Sequence, residues 1–197
     1  MINWKFSDGN GNTSTATQRV VVDDVTAPAT PTLANATGEC SVTVTAPTTT
    51  DNCSGTITGT TSSPLTYSTQ GTYTITWKFD DGNGNTSTAT QRVVVDDVTA
   101  PVAPSIATVT GECSATVSAT PVATDNCVGT VNGTTTDPLT YNTQGVHVIT
   151  WTFNDGNGNT STATQRVVVD DVTPPTAPVL STLTGCSVTV TTPPTAT

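Results

Sequence analysis

Basic residues are scarce in this sequence. Five Lys and Arg stand against 15 Asp and Glu, for a net charge of −10. That balance repels polyanions and excludes nucleic acid as a natural partner. Histidine occurs once, at His147, with no second His and no suitably placed nucleophile for acyl transfer. The chain therefore reads as a non-enzyme. Aromatic residues make up only 5% of it, which leaves little for a sugar-stacking platform. No apolar run is long enough to span a bilayer, and no signal peptide is present. No stretch has a helical period. Val, Ile, Leu and Phe together are just under a fifth of the residues, a content that at this net charge warns of disorder.

Repetition and strand patterning argue against disorder. Trp4, Trp77 and Trp151 open near-verbatim copies of one phrase, WKFSDGNGNTSTATQRVVVDDVTAP in the first case. GECSVTVTAPTTTDNC from Gly38 returns as GECSATVSATPVATDNC from Gly111 and begins again as GCSVTV from Gly185. The period is about 73 residues. Tyr73, Ile75, Trp77 and Phe79 alternate with Thr72, Thr74, Thr76 and Lys78, the pattern of a strand with one buried face. The expected fold is all-β, with tandem sandwich repeats end to end. The expected segments are 1–24, the last part of a truncated repeat; 25–97 and 98–171, two complete repeats; and 172–197, the opening of another. Met1 falls in mid-repeat, so the chain reads as a window onto a longer polymer whose partners are neighbouring repeats, with other copies of itself as a further possibility.

A thin core in a repeat of this size needs staples. The cysteines predict two disulfides, Cys40–Cys53 and Cys113–Cys127, and with them an oxidising compartment, extracellular or at the cell surface. Cys186 would await a partner beyond Thr197. Buried free thiols are the alternative. One difficulty is visible at once: if residues 41–47 run straight, Cys40 and Cys53 are too far apart to bond, so the pairing expects the chain to double back, around Pro47 and, in the next repeat, Pro121.

Of the 15 acids, 12 fall in DGNGN turns, with Asp80 just before one of them, in VDDVT junctions and in TDNC loops. Such crowding of like charge is costly unless something neutralises it. Placed on a sandwich, these motifs gather at repeat junctions in two sets. The first is Asp23, Asp24, Asp51, Asn52, Asp81, Asn83 and Asn85. The second is Asp96, Asp97, Asp125, Asn126, Asp155, Asn157 and Asn159. Hard oxygen donors in that number suit calcium. Asp81, Asn83 and Asn85 have the spacing of the first three EF-hand ligands, but Thr86 and Arg92 stand where that loop needs Gly and Glu. Bare hairpin chemistry at Asp-Gly and Asn-Gly is the competing reading.

The phrase GECSATVSATPVATDNC at Gly111, followed by a TYTITW-type strand and DGNGNTSTATQRVVVDD, resembles the hyalin repeat and its bacterial relatives. That resemblance implies immunoglobulin-like sandwiches in secreted or surface proteins linked to adhesion, and a disulfide between the two cysteines. A second cysteine pair frequent in that family is missing here, with Leu33 and Thr90 in its places. The expected function is a structural segment of an extracellular stalk or fibre. Two alternatives stand beside it: an array of carbohydrate-binding modules, and a pilus-like subunit completed by strand exchange. Sequons at Asn12, Asn35, Asn85, Asn132 and Asn159 leave glycans open as partners.

Overall fold

A computed structural model describes residues 1–196. Thr197, the last residue of the expected fourth segment, lies outside the described residues. The chain is all-β, with no helix among the described residues, and it divides into two compact units, Met1–Asp97 and Val98–Thr197.

The first unit begins with a hairpin of β1 (Ile2–Ser7) and β2 (Thr13–Gln18). Residues 19–35 then run without strand pairing. Seven strands follow: β3 (Ala36–Gly38), β4 (Val42–Thr43), β5 (Thr48–Asp51), β6 (Gly55–Thr58), β7 (Thr66–Tyr67), β8 (Gly71–Asp80) and β9 (Thr86–Val95). The long β8–β9 hairpin is the spine. Its register sets Trp77 opposite Ala89 and Phe79 opposite Ser87, while β3 runs parallel along the end of β9, Gly38 beside Val95. β4 pairs with β7, and β5 with β6.

Alternation along β8 decides what is buried. Ile75, Trp77 and Phe79 face inward with Val93 and Val95 of β9, and they meet Val42 and Val44 from the other side. Ile57, Tyr67 and Leu33 pack at the margin. The outward positions are Thr72, Thr74 and Thr76, whose β-branched side chains suit a pleated surface. Trp77 donates its indole N–H to Gln91 Oε1 at 3.1 Å, and Gln91 passes the bond on to the Ala34 carbonyl. This chain of bonds satisfies the one polar atom of a buried Trp. Gly59 is required where it stands: a Cβ there would sit 2.9 Å from the Phe79 ring.

The β1–β2 hairpin has the same register, Trp4 opposite Ala16, and the same indole bond, to Gln18. Yet Trp4 is 49% exposed where Trp77 is 1% exposed. Among the described residues no second layer covers its apolar side, and Ile2 and Phe6 are exposed with it.

The second unit repeats these pairings with β10 (Val109–Gly111), β11 (Ala115–Thr116), β12 (Val122–Asp125), β13 (Gly129–Asn132), β14 (Thr140–Tyr141), β15 (Gly145–Asn154) and β16 (Thr160–Val169). Its core centres on Ile149, Trp151, Phe153, Val167 and Val169. His147 is a half-buried strand residue that stacks on Tyr141 with ring centres 4.3 Å apart, the place Tyr73 takes against Tyr67 in the first unit. Residues 170–196 form no strand.

The expected disulfides do not form. Cys53 and Cys113 are free thiols, whereas Cys40 and Cys127 are disulfide-bonded. The reason lies in the length of the spine. Gly38, two residues before Cys40, sits beside Val95, which pairs with Gly71 at the start of β8. Cys53 sits at the tip of the β5–β6 hairpin, where the next residue, Ser54, donates its hydroxyl to the Asp81 carbonyl just past the end of β8. Ten residues of extended chain separate those poles, about 30 Å. A disulfide tolerates no more than about 7 Å between Cα atoms. The chain from Cys40 to Cys53 runs from one pole to the other rather than doubling back to bring the two together. The same geometry parts Cys113, beside the end of β16, from Cys127 at the β12–β13 tip.

Candidate metal centre

Three segments converge at one pole of the first unit. One is the strand-free run after β2, which carries Asp24. It is pinned to β5 by the Ala29 N–H, which donates to the Thr50 carbonyl at 3.0 Å, and by the Thr49 hydroxyl, which donates to the Ala29 carbonyl at 2.6 Å. The second is the β5–β6 tip with Asp51. The third is the β8–β9 turn with Asp81, whose two glycines, Gly82 and Gly84, have φ of 80° and 103° and so tolerate the tight reversal.

Each carboxylate commits an oxygen to its own turn. Asp24 Oδ1 accepts the Thr26 N–H at 3.1 Å. Asp51 Oδ1 accepts the N–H of Cys53 and of Ser54, both at 2.8 Å. Asp81 Oδ1 accepts the N–H of Asn83 at 2.8 Å and of Asn85 at 3.1 Å. These are side-chain-to-backbone turns that Asp favours. Asp24, Asp51 and Asp81 each offer a carboxylate oxygen, all within 4.8 Å of one another. Asp51 Oδ2 is buried and has no hydrogen-bond partner among the described residues.

The asparagines bind the segments together. Asn83 donates its amide to Asp24 Oδ2 and to Ser54 Oγ, each at 3.2 Å. Asn85 donates to the Asp24 carbonyl at 2.9 Å and to Asp81 Oδ2 at 2.7 Å. Both amides use their N–H groups, which leaves the carbonyl oxygens as further hard donors.

Burial is the largest single influence on the Asp81 carboxyl and pushes its pKa up. The Asn85 amide and the backbone N–H groups of Asn83 and Asn85 outweigh it together, so the net displacement is downward. The Cys53 thiol moves the other way: burial raises its pKa first, and the charges of Asp24 and Asp51 raise it further.

Not every expected residue joins the cluster. Asp23 is exposed and lies outside the three-carboxylate group. Asn52 is exposed and turns its amide toward Cys53 Sγ at 3.4 Å. In the first two VDDVT phrases the leading aspartate is the more exposed of the pair, Asp23 and Asp96 being exposed, Asp24 half-buried and Asp97 buried, whereas Asp170 and Asp171 are both exposed. Ser54, which links Asp81 to Asn83, escaped the sequence reading, because Val128 takes its place in the next repeat and breaks the pattern.

The second unit rebuilds two of the three arms. Asp125 Oδ1 accepts the N–H of Cys127 and Val128 at 2.8 and 2.9 Å, and its Oδ2 is again buried without a partner among the described residues. Asp155 Oδ1 accepts the N–H of Asn157 and Asn159, and Oδ2 accepts the Asn159 amide at 2.7 Å. Asp125 and Asp155 bring oxygens within 4.8 Å of each other. Asn126 follows Asp125 at the hairpin tip. Asp96 and Asp97 belong to the first unit, where their backbone N–H groups donate to the Gly38 carbonyl and to Gln70 Oε1. In sequence Asp97 holds the place of Asp24.

No family model matches this chain, and no curated protein does. Among solved structures it is similar to an endo-fucoidan hydrolase, MfFcnA4, from glycoside hydrolase family 107, at 17% identity and a TM-score of 0.23. The overlap covers 87% of this chain and 34% of that one. The likeness is too slight to carry an argument about fold or activity.

Proposed function

We propose that this chain is a segment of an extracellular stalk or fibre, built from tandem immunoglobulin-like repeats of the hyalin-repeat kind and stiffened by calcium where one repeat meets the next. The observation that carries this reading is the meeting of Asp24 with Asp51 and Asp81. Asp24 is the second aspartate of one VDDVT phrase, and the other two lie at hairpin tips of the repeat that follows. An acid retained at each of these places, with Asp51 Oδ2 buried and unbonded, fits a site made for a cation. The donors are carboxylate and amide oxygens, which suit calcium rather than a thiolate- or imidazole-seeking metal. Asp24, Asp51 and Asp81 would hold the ion, with the side-chain oxygens of Asn83 and Asn85 available to complete its shell.

The sandwich reading is supported by the apolar face of β8 and β9 packing on Val42 and Val44 across a shared core. An extracellular setting is supported by the oxidised state of Cys40 and Cys127. Short proline-bearing connections such as VDDVTAPATP suit a spacer of limited bending. A carbohydrate-binding array draws no comparable support, since Trp77 and Trp151 are buried in cores with their indole N–H groups tied to Gln91 and Gln165. A calcium-dependent melt tests the proposal. Calcium should raise the melting temperature of the chain and EGTA should lower it, and an indifferent melt with no calcium in elemental analysis would sink it.

A further inference from the structure

The pentapeptide Asp-Gly-Asn-Gly-Asn occurs three times, at 8–12, 81–85 and 155–159. Its backbone frame is the same each time. The central Asn N–H donates to Oδ1 of the leading Asp at 2.8, 2.8 and 2.7 Å, and the last Asn N–H donates to the same atom at 3.1 Å in all three. Both glycines have positive φ throughout. What differs is the side chain of the central asparagine. Asn83 is held by Asp24 and Ser54. The Asn10 side chain makes no hydrogen bond among the described residues.

An Asn followed by Gly is open to attack on its own side chain, because no Cβ on the next residue shields the backbone nitrogen. We propose that Asn10–Gly11 and Asn83–Gly84 are sites of spontaneous deamidation, and that Asp24 and Ser54 hold back the reaction at Asn83. The glycine nitrogen attacks Cγ of the asparagine and loses its proton to solvent. A C–N bond forms and the amide nitrogen leaves as ammonia. Water then opens the five-membered imide at either carbonyl, giving aspartate or isoaspartate. Water is the only co-reactant, and nothing is oxidised or reduced. For the ring to close, the Asn83 side chain must first leave Asp24 and Ser54. Two hydrogen bonds to be broken slow the reaction roughly tenfold or more.

The consequence is a change of sign at the junction. Asn83 now donates to Asp24, and a carboxylate in its place would repel it. Deamidation there turns a tie between one repeat's end and the next repeat's turn into a repulsion. This inference needs only the Asp24–Asn83–Ser54 contact and does not rest on calcium.

The test is peptide mapping by mass spectrometry of the intact chain aged in mildly alkaline buffer with EGTA. Asn10 should convert roughly tenfold faster than Asn83. Ser54→Ala should speed conversion at Asn83, and Asp24→Ala should speed it further, with Asn10 unchanged. Asn132–Gly133 serves as the internal control for unfolding, since the Gly133 N–H is engaged by the Pro121 carbonyl at 2.8 Å. Acceleration at Asn83 alone in Ser54→Ala supports the proposal. Equal rates at Asn10 and Asn83 in the parent chain overturn it, as does a Ser54→Ala variant in which Asn83 is unchanged or speeds up only together with Asn132.

Discussion

Asn83 donates its side-chain amide to the carboxylate of Asp24, 59 residues earlier, at 3.2 Å. The bond joins the acidic end of one sequence repeat to the turn at the tip of the next repeat's long hairpin. Around it lie Asp51 and Asp81, and the behaviour of the junction follows from how those charges are balanced.

Asp51→Asn keeps an oxygen for the turn with Cys53 and Ser54 but removes the charge on the unbonded Oδ2. In EGTA the variant should be at least as stable as the parent, because one repulsive charge is gone. In calcium it should lose most of the ion's benefit at this site, which for a ligand at a hundred times its dissociation constant is about 2.7 kcal/mol. Paired thermal melts check both arms. A variant that loses stability equally with and without calcium would show Asp51 to be structural only.

The pKa of Asp81 is lowered in the folded chain, so its contribution to stability has a defined pH window. The contribution is present above the ordinary carboxyl value of 3.8 and is lost as pH falls through the lower folded value. Asp155 is displaced the same way, with burial raising it and the Asn159 amide foremost among the bonds that lower it. Asp81→Asn should therefore flatten the acid limb of a denaturant-melt series. A steeper acid limb in the variant would contradict the sign.

Trp77 and Trp4 provide a matched pair. Trp77→Ala opens a cavity in a closed core and should cost about 3–5 kcal/mol. Trp4→Ala removes a half-exposed ring with the same register and the same Gln partner, so the cost should be well below that. Denaturant titration of the two variants measures the difference, and equal costs would mean that the first hairpin is covered in solution.

Alkylation of the native chain should label Cys53, Cys113 and Cys186 and spare Cys40 and Cys127 until a reductant is added. Recovery of a Cys40–Cys53 linked peptide would contradict the separation of those residues along β8.

The strands, the turns and the acids of the junction were legible from the residues themselves. Tyr73, Ile75, Trp77 and Phe79 announce a half-buried strand because side chains alternate along extended chain. DGNGN announces a tight turn because Gly tolerates positive φ. The cysteine pairing was not legible. Cys40 and Cys53 are close in sequence, and only the course of the chain through β4 and β5 carries them to opposite poles. Nor does the sequence distinguish Asp23 from Asp24, since that depends on how residues 19–35 lie against β5. Ser54 was hidden because its role is a tertiary contact and its counterpart is Val128.

The most direct test of a calcium-stiffened junction is the melting temperature of this chain across a calcium titration, set beside its melt in EGTA. The account predicts a saturable rise with calcium that is reversed by chelation and diminished in Asp51→Asn. A melting temperature that does not move with calcium, in protein that retains no calcium by elemental analysis, would contradict it.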